Sequence, residues 1–194
     1  MTTWIVAGLG NPGEGYAATR HNLGYRVVEE LARRTGERFK KVRFVPLDLA
    51  EASADGDRLL LGRSHRFYNE TGEVYASLVR KRDVDPGHLI AVHDDLDLAF
   101  GALQVRFGGS TAGNHGLDSL VGSLRTKDFH RVRLGIGRPP GRQDPIGFVL
   151  EPFPKRVQAD VEMLVDDAAD AVLSLVRDGL APAQDRYNRS APRE

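Results

Sequence analysis

A chain of 194 residues, 41% of them hydrophobic and 28% charged, has the composition of a globular protein and is long enough to bury a substantial core, which excludes a disordered or fibrous chain. It holds no cysteine, so disulfides, thiolate zinc sites, iron–sulfur clusters and a cysteine nucleophile are excluded, and no apolar run is long enough to span a bilayer. The amino terminus lacks a basic leader and its apolar stretch is short for a signal peptide, so the expected compartment is cytoplasmic.

The net charge is zero, with 27 basic against 27 acidic side chains, but the two signs are unevenly distributed. Basic residues concentrate at 33–43 and at 125–142, whereas acidic residues concentrate at 160–170. This segregation predicts either a basic face that attracts a polyanion or ordinary solvated faces, and the sequence leaves both interpretations open.

Apolar residues recur at strand and helix spacing along the chain. Leu23, Val27 and Leu31 mark one face of a helix that is expected to stop at Gly36. The segment 137–147 is rich in proline and glycine and is predicted to be a loop. The predicted elements are, in chain order, a strand at 4–7, the helix from Leu23, two hairpin strands around 42–52 and 58–62, a helix at about 70–82, strands at 89–92 and 103–107, a short helix at 117–124, a strand at 132–136 and a long helix at about 157–176.

This alternation of strands and helices, interrupted by one hairpin, predicts the α/β class. We expect a single domain over residues 1–194, built on a mixed, mostly parallel twisted sheet with helices on both faces. In such folds the ligand site lies at the carboxyl ends of the central strands.

Two glycine-rich segments resemble phosphate-binding motifs incompletely. The segment 8–13 matches GxGxxG, but no helix begins at its glycines, so a turn that aims the amide of Asn11 into a cleft is favoured over a nucleotide cofactor site. The segment 108–113 begins like a phosphate loop but continues with Asn114-His115 in place of Lys-Ser/Thr, which argues against an ATPase or GTPase. It is either a flexible connection or a loop whose N–H groups face an oxyanion.

The segment His-Asp-Asp-Leu-Asp at 93–97 ends a predicted central strand. Three carboxylates and an imidazole predict either a magnesium site or one carboxylate that orients a histidine elsewhere in the chain. Strand alternation points Asp94 away from His93 and Asp95, which argues against a single metal cage. His21, at the start of the first helix, is then either a cap or surface residue or a general base beside a strand-end carboxylate.

Six motifs in a fixed order resemble those of one family. They are GLGNPG at 8–13, YAATRHNLG at 16–24, FYNETG at 67–72, HDDLDL at 93–98, GGSTAG at 108–113 and FHRVRLGIG at 129–137. Together they resemble the bacterial peptidyl-tRNA hydrolases over nearly the whole chain. The resemblance implies a monomeric enzyme that cleaves the ester between a peptide and the 3′ adenosine of tRNA, with peptidyl-tRNA as its partner, without cofactor, metal or membrane.

The resemblance also implies roles for individual side chains at the reacting ester. His21 is the general base, and Asp94 orients it and raises its basicity. Asn11 and Asn69 hydrogen-bond the last amide and carbonyl of the peptide, although an Asn at position 69 is also explained as the N-cap of its helix.

Further residues are implied to bind the tRNA. Tyr16 and Phe67 line the path of the acceptor end. Arg106, Arg131 and Arg133 are the candidates for contacts with tRNA phosphates, and Arg131 and Arg133 share one face of a strand.

The chain departs from the family pattern at two places near the site. Tyr68 stands where the family usually has Met, and Asn114-His115 reverses the usual His-Asn order before Gly116. Asn114 and His115 are still expected to face the substrate, but the reversal leaves substrate preference and rate open. A non-catalytic RNA-binding protein on the same fold and a metal-dependent phosphoesterase are the alternative functions, and the retained His21 favours the hydrolase over the RNA-binding protein.

Overall fold

The computed structural model describes residues 1–188 of the chain. Seven strands form a single sheet. The strands are β1 Thr3–Gly8, β2 Lys40–Lys41, β3 Leu47–Ala54, β4 Asp57–Ser64, β5 Leu89–Asp95, β6 Leu103–Phe107 and β7 His130–Gly135. Their order across the sheet is β2-β3-β4-β1-β5-β7-β6. The four central strands pair in parallel and the outer pairings are antiparallel, which confirms the mixed sheet and confines its parallel part to the centre.

Helices cover both faces of the sheet. They are α1 Leu23–Thr35, α2 Thr71–Arg82, α3 His115–Leu124, α4 Pro145–Val149, α5 Gln158–Asp178 and α6 Leu180–Tyr187. Apolar residues of α1, α5 and α6 form one core with the sheet, and those of α2 and α3 form a second core on the opposite face. The predicted α/β class with helices on both faces is confirmed. Within residues 1–188, no helix combines the length and apolarity needed to cross a membrane.

Two glycines let α1 lie directly against the carboxyl ends of β1 and β5. A Cβ on Gly24 would lie 2.5 Å from the carbonyl oxygen of Leu9 and nearer still to that of Val92. A Cβ on Gly8 would lie 2.6 Å from the carbonyl oxygen of Gly24. Because only glycine fits such backbone contacts, these two positions set the depth of α1. The turn Arg20–Asn22, immediately before α1, is thereby held beside the end of β5.

Three local predictions differ from the structure. β3 begins at Leu47, because residues 42–46 form a turn in place of the predicted start of a strand. α4 begins inside the predicted loop 137–147, because the side chain of Asp144 accepts two backbone N–H bonds and a proline fits the first helical turn. α6 is not predicted, because only one of its residues is fully buried and its apolar period is correspondingly weak.

Candidate active site

A cleft of about 470 Å³ opens at the carboxyl ends of β1 and β5. This is the edge of the sheet at which the strand pattern predicts a ligand site. Predicted site residues that line the cleft together are Asn11, Tyr16, His21, Phe67, Asn69, Asp94, Asn114 and His115. The candidate phosphate-contacting residues Arg106, Arg131 and Arg133 lie outside its lining.

His21 and Asp94 form a hydrogen-bonded pair across the cleft, although 73 positions separate them in the chain. The Nδ1 atom of His21 lies 3.0 Å from both carboxylate oxygens of Asp94. Since a carboxylate only accepts hydrogen bonds, Nδ1 carries the proton and Nε2 has the lone pair. The Asp94 side chain is 2% exposed and that of His21 is 18% exposed, so the cleft reaches the imidazole and water hardly reaches the carboxylate. The arrangement suits a general base.

His93 and Asp95, the neighbours of Asp94 in the strand-end motif, face away from it. His93 is fully buried, its Nδ1 lies 2.8 Å from the backbone oxygen of Asp94, and burial lowers its pKa. Asp95 pairs with Arg133 at 2.8 Å and also accepts a hydrogen bond from the backbone N–H of Asp97. In residues 1–188, no group of three or more His, Asp or Glu side chains is placed to hold a metal ion.

Asn11 is held by bonds to its side chain and to its backbone. Its Oδ1 accepts a hydrogen bond from the backbone N–H of Tyr68 at 2.8 Å. The backbone N–H and carbonyl of Asn11 each bond the side-chain amide of Asn22 at 2.9 Å. The Nδ2 group of Asn11 has no hydrogen-bond partner among the described residues, so it is a free donor within the cleft lining. Sequence reasoning missed Asn22, which supports Asn11 through the backbone.

Tyr68 lies at the centre of the site, although sequence reasoning treated it only as a departure from the family pattern. Its ring stacks on the imidazole of His21, with centroids 3.5 Å apart and planes 13° apart. Its hydroxyl donates to Oδ1 of Asp94 at 3.2 Å and accepts from Nδ2 of Asn114 at 3.1 Å. Burial, together with the Asp94 carboxylate, raises the pKa of the Tyr68 phenol well above its ordinary value, so the hydroxyl stays protonated.

An aromatic pair and an amide lie on the rim beside Tyr68. Tyr16 and Phe67 meet edge to face with centroids 6.2 Å apart, and Phe67 is 51% exposed. Asn69 is exposed and lines the cleft. It is not the N-cap of α2, because Glu70 holds that position without a side-chain cap. The capping interpretation of Asn69 is therefore wrong.

The reversed Asn114-His115 pair begins α3 and presents its two side chains differently. Asn114 is the N-cap, its Oδ1 accepting from the backbone N–H of Leu117 at 3.0 Å while its Nδ2 donates to Tyr68. The side chain of His115 is 73% exposed on the cleft rim, with Nδ1 4.0 Å from Asp118. The amide is therefore part of the buried polar network, and the imidazole faces water.

Comparison with known proteins identifies the family. A sequence model described as peptidyl-tRNA hydrolase matches residues 5–194. The chain belongs to the peptidyl-tRNA hydrolase family. A peptidyl-tRNA hydrolase of Mycobacterium tuberculosis is 46% identical over 184 residues, covering 95% of this chain and 96% of the relative. A peptidyl-tRNA hydrolase of Arthrobacter sp. is 44% identical over 188 residues, covering 96% of each chain. The family resemblance predicted from the motifs is confirmed.

Solved structures of peptidyl-tRNA hydrolases share this fold. The crystal structure of peptidyl-tRNA hydrolase from Acinetobacter baumannii superimposes with a TM-score of 0.88 at 30% sequence identity. The match covers 100% of this chain and 97% of that one. The fold of the chain is thus the fold of the peptidyl-tRNA hydrolase family.

The arginines predicted to contact phosphate differ in what they expose. Strand pairing places Arg131 opposite Arg106, and Arg133 opposite Gln104. Arg131 is 1% exposed and donates to the backbone carbonyls of Ser110 and Gly109 at 2.7 and 3.0 Å. The prediction that Arg131 contacts phosphate is therefore wrong, because its guanidinium is enclosed beneath the glycine-rich loop.

Arg106 and Arg133 remain candidates for contact with tRNA. Arg133 is partly buried and is held by Asp95 and Gln104. Arg106 is exposed and has no ion-pair partner in the described part of the chain. Of the three predicted arginines, Arg106 alone presents a charge that is unpaired within residues 1–188.

The first basic segment, 33–43, is partly neutralised by the acidic segment 160–170. Arg34 pairs with Asp166 and Asp170 on α5 at 3.1 and 2.6 Å. The charges that look segregated in the sequence therefore meet in the fold. Residues beyond Arg34 in this segment, such as Lys40 and Arg43, are exposed.

Sequence reasoning missed the apolar side of the cleft. Ile146, Val149 and Leu150, on and beside α4, line it, and Ile146 is 65% exposed. Arg138 and Asp97 form an ion pair in the same lining. The Asp-Pro pair that begins α4 is a helix-start signal that could have indicated this element.

Proposed function

We propose that this chain hydrolyses the ester between a peptide and the 3′ adenosine of tRNA, releasing free tRNA and peptide. The observation that carries the proposal is the His21–Asp94 pair inside the cleft, with Nδ1 3.0 Å from both carboxylate oxygens. Membership of the peptidyl-tRNA hydrolase family supports the choice of substrate. Ester hydrolysis requires an activated water and a stabilised oxyanion, and neither demands a covalent nucleophile.

His21 acts as the general base in the proposed reaction. Asp94 holds the proton on Nδ1, so Nε2 takes a proton from the attacking water. The hydroxide adds to the ester carbonyl, the bond from the carbonyl carbon to the 3′ oxygen breaks, and the imidazolium returns the proton to that oxygen. The buried carboxylate of Asp94 stabilises the imidazolium while it exists.

The amide side chains hold the peptide end in this proposal. Asn11 donates from its free Nδ2 group to a peptide carbonyl, and Asn69 and Asn114 provide further amides along the cleft. The Tyr16–Phe67 pair offers aromatic surface to the bases of the acceptor end, because single-stranded nucleotides stack on such rings. A cleft of about 470 Å³ has the size of a small-molecule site, which suits the junction between peptide and adenosine.

The proposed tRNA contacts outside the cleft are Arg106 and Arg133, and His115 contributes from the rim. We propose that the enzyme works in the cytoplasm as a monomer, with residues 1–194 as one domain. The proposed reaction uses neither a cofactor nor a metal ion.

The test compares wild type with His21→Ala on N-acetyl-aminoacyl-tRNA and on free aminoacyl-tRNA. Wild type is expected to release tRNA from the blocked substrate only, with or without EDTA. His21→Ala is expected to be slower by about 10² to 10⁴-fold and to bind tRNA nearly as well, since loss of a general base costs that much rate. Retention of more than about a tenth of the activity would refute the role of His21. Binding of tRNA by wild type without release would instead indicate a non-catalytic RNA-binding protein.

A further inference from the structure

We propose that Tyr68 is a positioning residue that sets both the orientation and the protonation of His21, an inference that rests on the proposed function. The phenol acts through the imidazole and through Asp94 and does not touch the reacting ester. Three contacts support this role: the stacked ring on His21, the hydroxyl bond to Asp94 and the backbone bond to Asn11.

The stacked ring fixes the plane of the imidazole. A histidine held only through Nδ1 can tilt about that hydrogen bond, whereas a parallel ring at 3.5 Å blocks the tilt on one side. Tyr68 is itself immobilised, because it is 3% exposed and lies against α3. A Cβ on Gly116 would come within 2.5 Å of Cε1 of Tyr68, so the glycine leaves the room that the ring occupies.

The hydroxyl of Tyr68 shares one oxygen of Asp94 with His21. Oδ1 accepts from the phenol at 3.2 Å and from Nδ1 of the imidazole at 3.0 Å. A donor on a carboxylate disperses part of its negative charge, so less of that charge stabilises a neighbouring imidazolium. Asn114 fixes the phenol from the other side by donating to its oxygen. The phenol thereby favours the neutral imidazole that a general base requires.

Besides Asp94 and Tyr68, the charged and titratable groups that line the cleft with His21 are Tyr16, Asp97, His115 and Arg138. Asp95 acts electrostatically on Tyr68 from the end of β5, and Arg20 is adjacent to His21 in the chain. Most of these charges are paired: Asp95 with Arg133, Asp97 with Arg138, and Arg20 with Glu151. His115 is largely exposed, so water screens its charge. Removal of the Tyr68 hydroxyl is therefore the change that acts most directly on the His21–Asp94 pair.

The experiment separates the hydroxyl from the ring. Tyr68→Phe keeps the stacked ring and loses the hydroxyl, and Tyr68→Met loses both. Tyr75→Phe is the matched control, because Tyr75 is also fully buried and its hydroxyl oxygen lies 3.0 and 2.8 Å from the backbone carbonyl oxygens of Gly8 and Gly62. For each variant, kcat and KM on N-acetyl-aminoacyl-tRNA are measured across pH, together with the thermal midpoint.

In Tyr68→Phe we expect the acidic limb of the kcat/KM profile to move to higher pH by about half a unit, because Asp94 then acts on the imidazole alone. KM is expected to stay within about twofold. Tyr68→Met is expected to add a fall in kcat of about tenfold, because the imidazole is no longer held in its plane. Tyr75→Phe is expected to lose thermal stability, and the acidic limb of its kcat/KM profile is expected to stay at the pH of wild type.

An acidic limb of Tyr68→Phe that coincides with wild type would overturn the proposed effect on protonation. A kcat of Tyr68→Met within about twofold of wild type would overturn the effect on orientation. Lower thermal stability with an unmoved limb, as expected for Tyr75→Phe, would show a purely structural role for Tyr68. These outcomes are separate from the proposed function, because His21→Ala tests that function with Tyr68 intact.

Discussion

Gly24→Ala tests whether the depth of α1 controls the catalytic pair. The added Cβ would lie 2.5 Å from the carbonyl oxygen of Leu9, whereas ordinary contact begins at 3.4 Å. The obstructing atoms belong to the backbone of β5 and of the segment after β1, so they cannot rotate away as a side chain could. The helix must therefore retreat by about 1 Å to relieve the overlap.

Such a retreat has two measurable consequences. Overpacking against rigid backbone is expected to cost about 3 kcal/mol of unfolding free energy, the upper part of the usual range. It also lengthens the bond between His21 and Asp94 from 3.0 Å to about 4 Å, beyond hydrogen-bond distance. A displacement of that size in a catalytic group costs about 10²-fold in rate.

The assay combines urea unfolding with kcat/KM on N-acetyl-aminoacyl-tRNA. Gly122→Ala is the matched control, because Gly122 is an exposed residue of α3 with open space around its Cβ position. That control is expected to gain about 0.5–1 kcal/mol of stability and to keep full activity. If Gly24→Ala keeps both the unfolding midpoint and kcat/KM of wild type, the link between helix depth and the His21–Asp94 distance is refuted.

The remaining predictions concern the buried Arg131, the exposed Arg106 and the half-buried His130. Arg131→Ala is expected to lower the thermal midpoint without changing the salt dependence of KM, because the Arg131 guanidinium bonds the glycine-rich loop. Arg106→Ala is expected to reduce the slope of log KM against log salt concentration by about one unit. Equal flattening by both variants would contradict the structural role of Arg131. Burial lowers the pKa of His130 from 6.5 to about 4. Between these two pH values the unfolded chain binds more protons than the folded chain, so the unfolding free energy falls as the pH drops from 6.5 towards 4. When the pH is lowered from about 7 to 5, the unfolding free energy measured in urea is expected to fall less for His130→Phe than for wild type. The same pH dependence in both proteins would contradict this explanation.

Local pattern was sufficient for much of the fold, whereas the pairing of His21 with Asp94 was implied by the family resemblance. The apolar period that marks α1, and Gly36 in the left-handed conformation that ends it, are properties of neighbouring residues. The alternation of β5 predicts that Asp94 faces away from His93 and Asp95, as the structure has it. The predicted position of the site at the strand ends follows from the parallel topology of the central strands.

Burial and long-range contacts were decided by the tertiary structure. The strand period correctly places Arg131 and Arg133 on one face of β7. It does not show that the glycine-rich loop covers Arg131. Tyr68 meets His21 from a position 47 residues away, and its role depends on the packing of α3 against the turn that carries it. Sequence spacing specifies which side of an element a residue occupies, whereas what covers that side depends on how separate elements pack together.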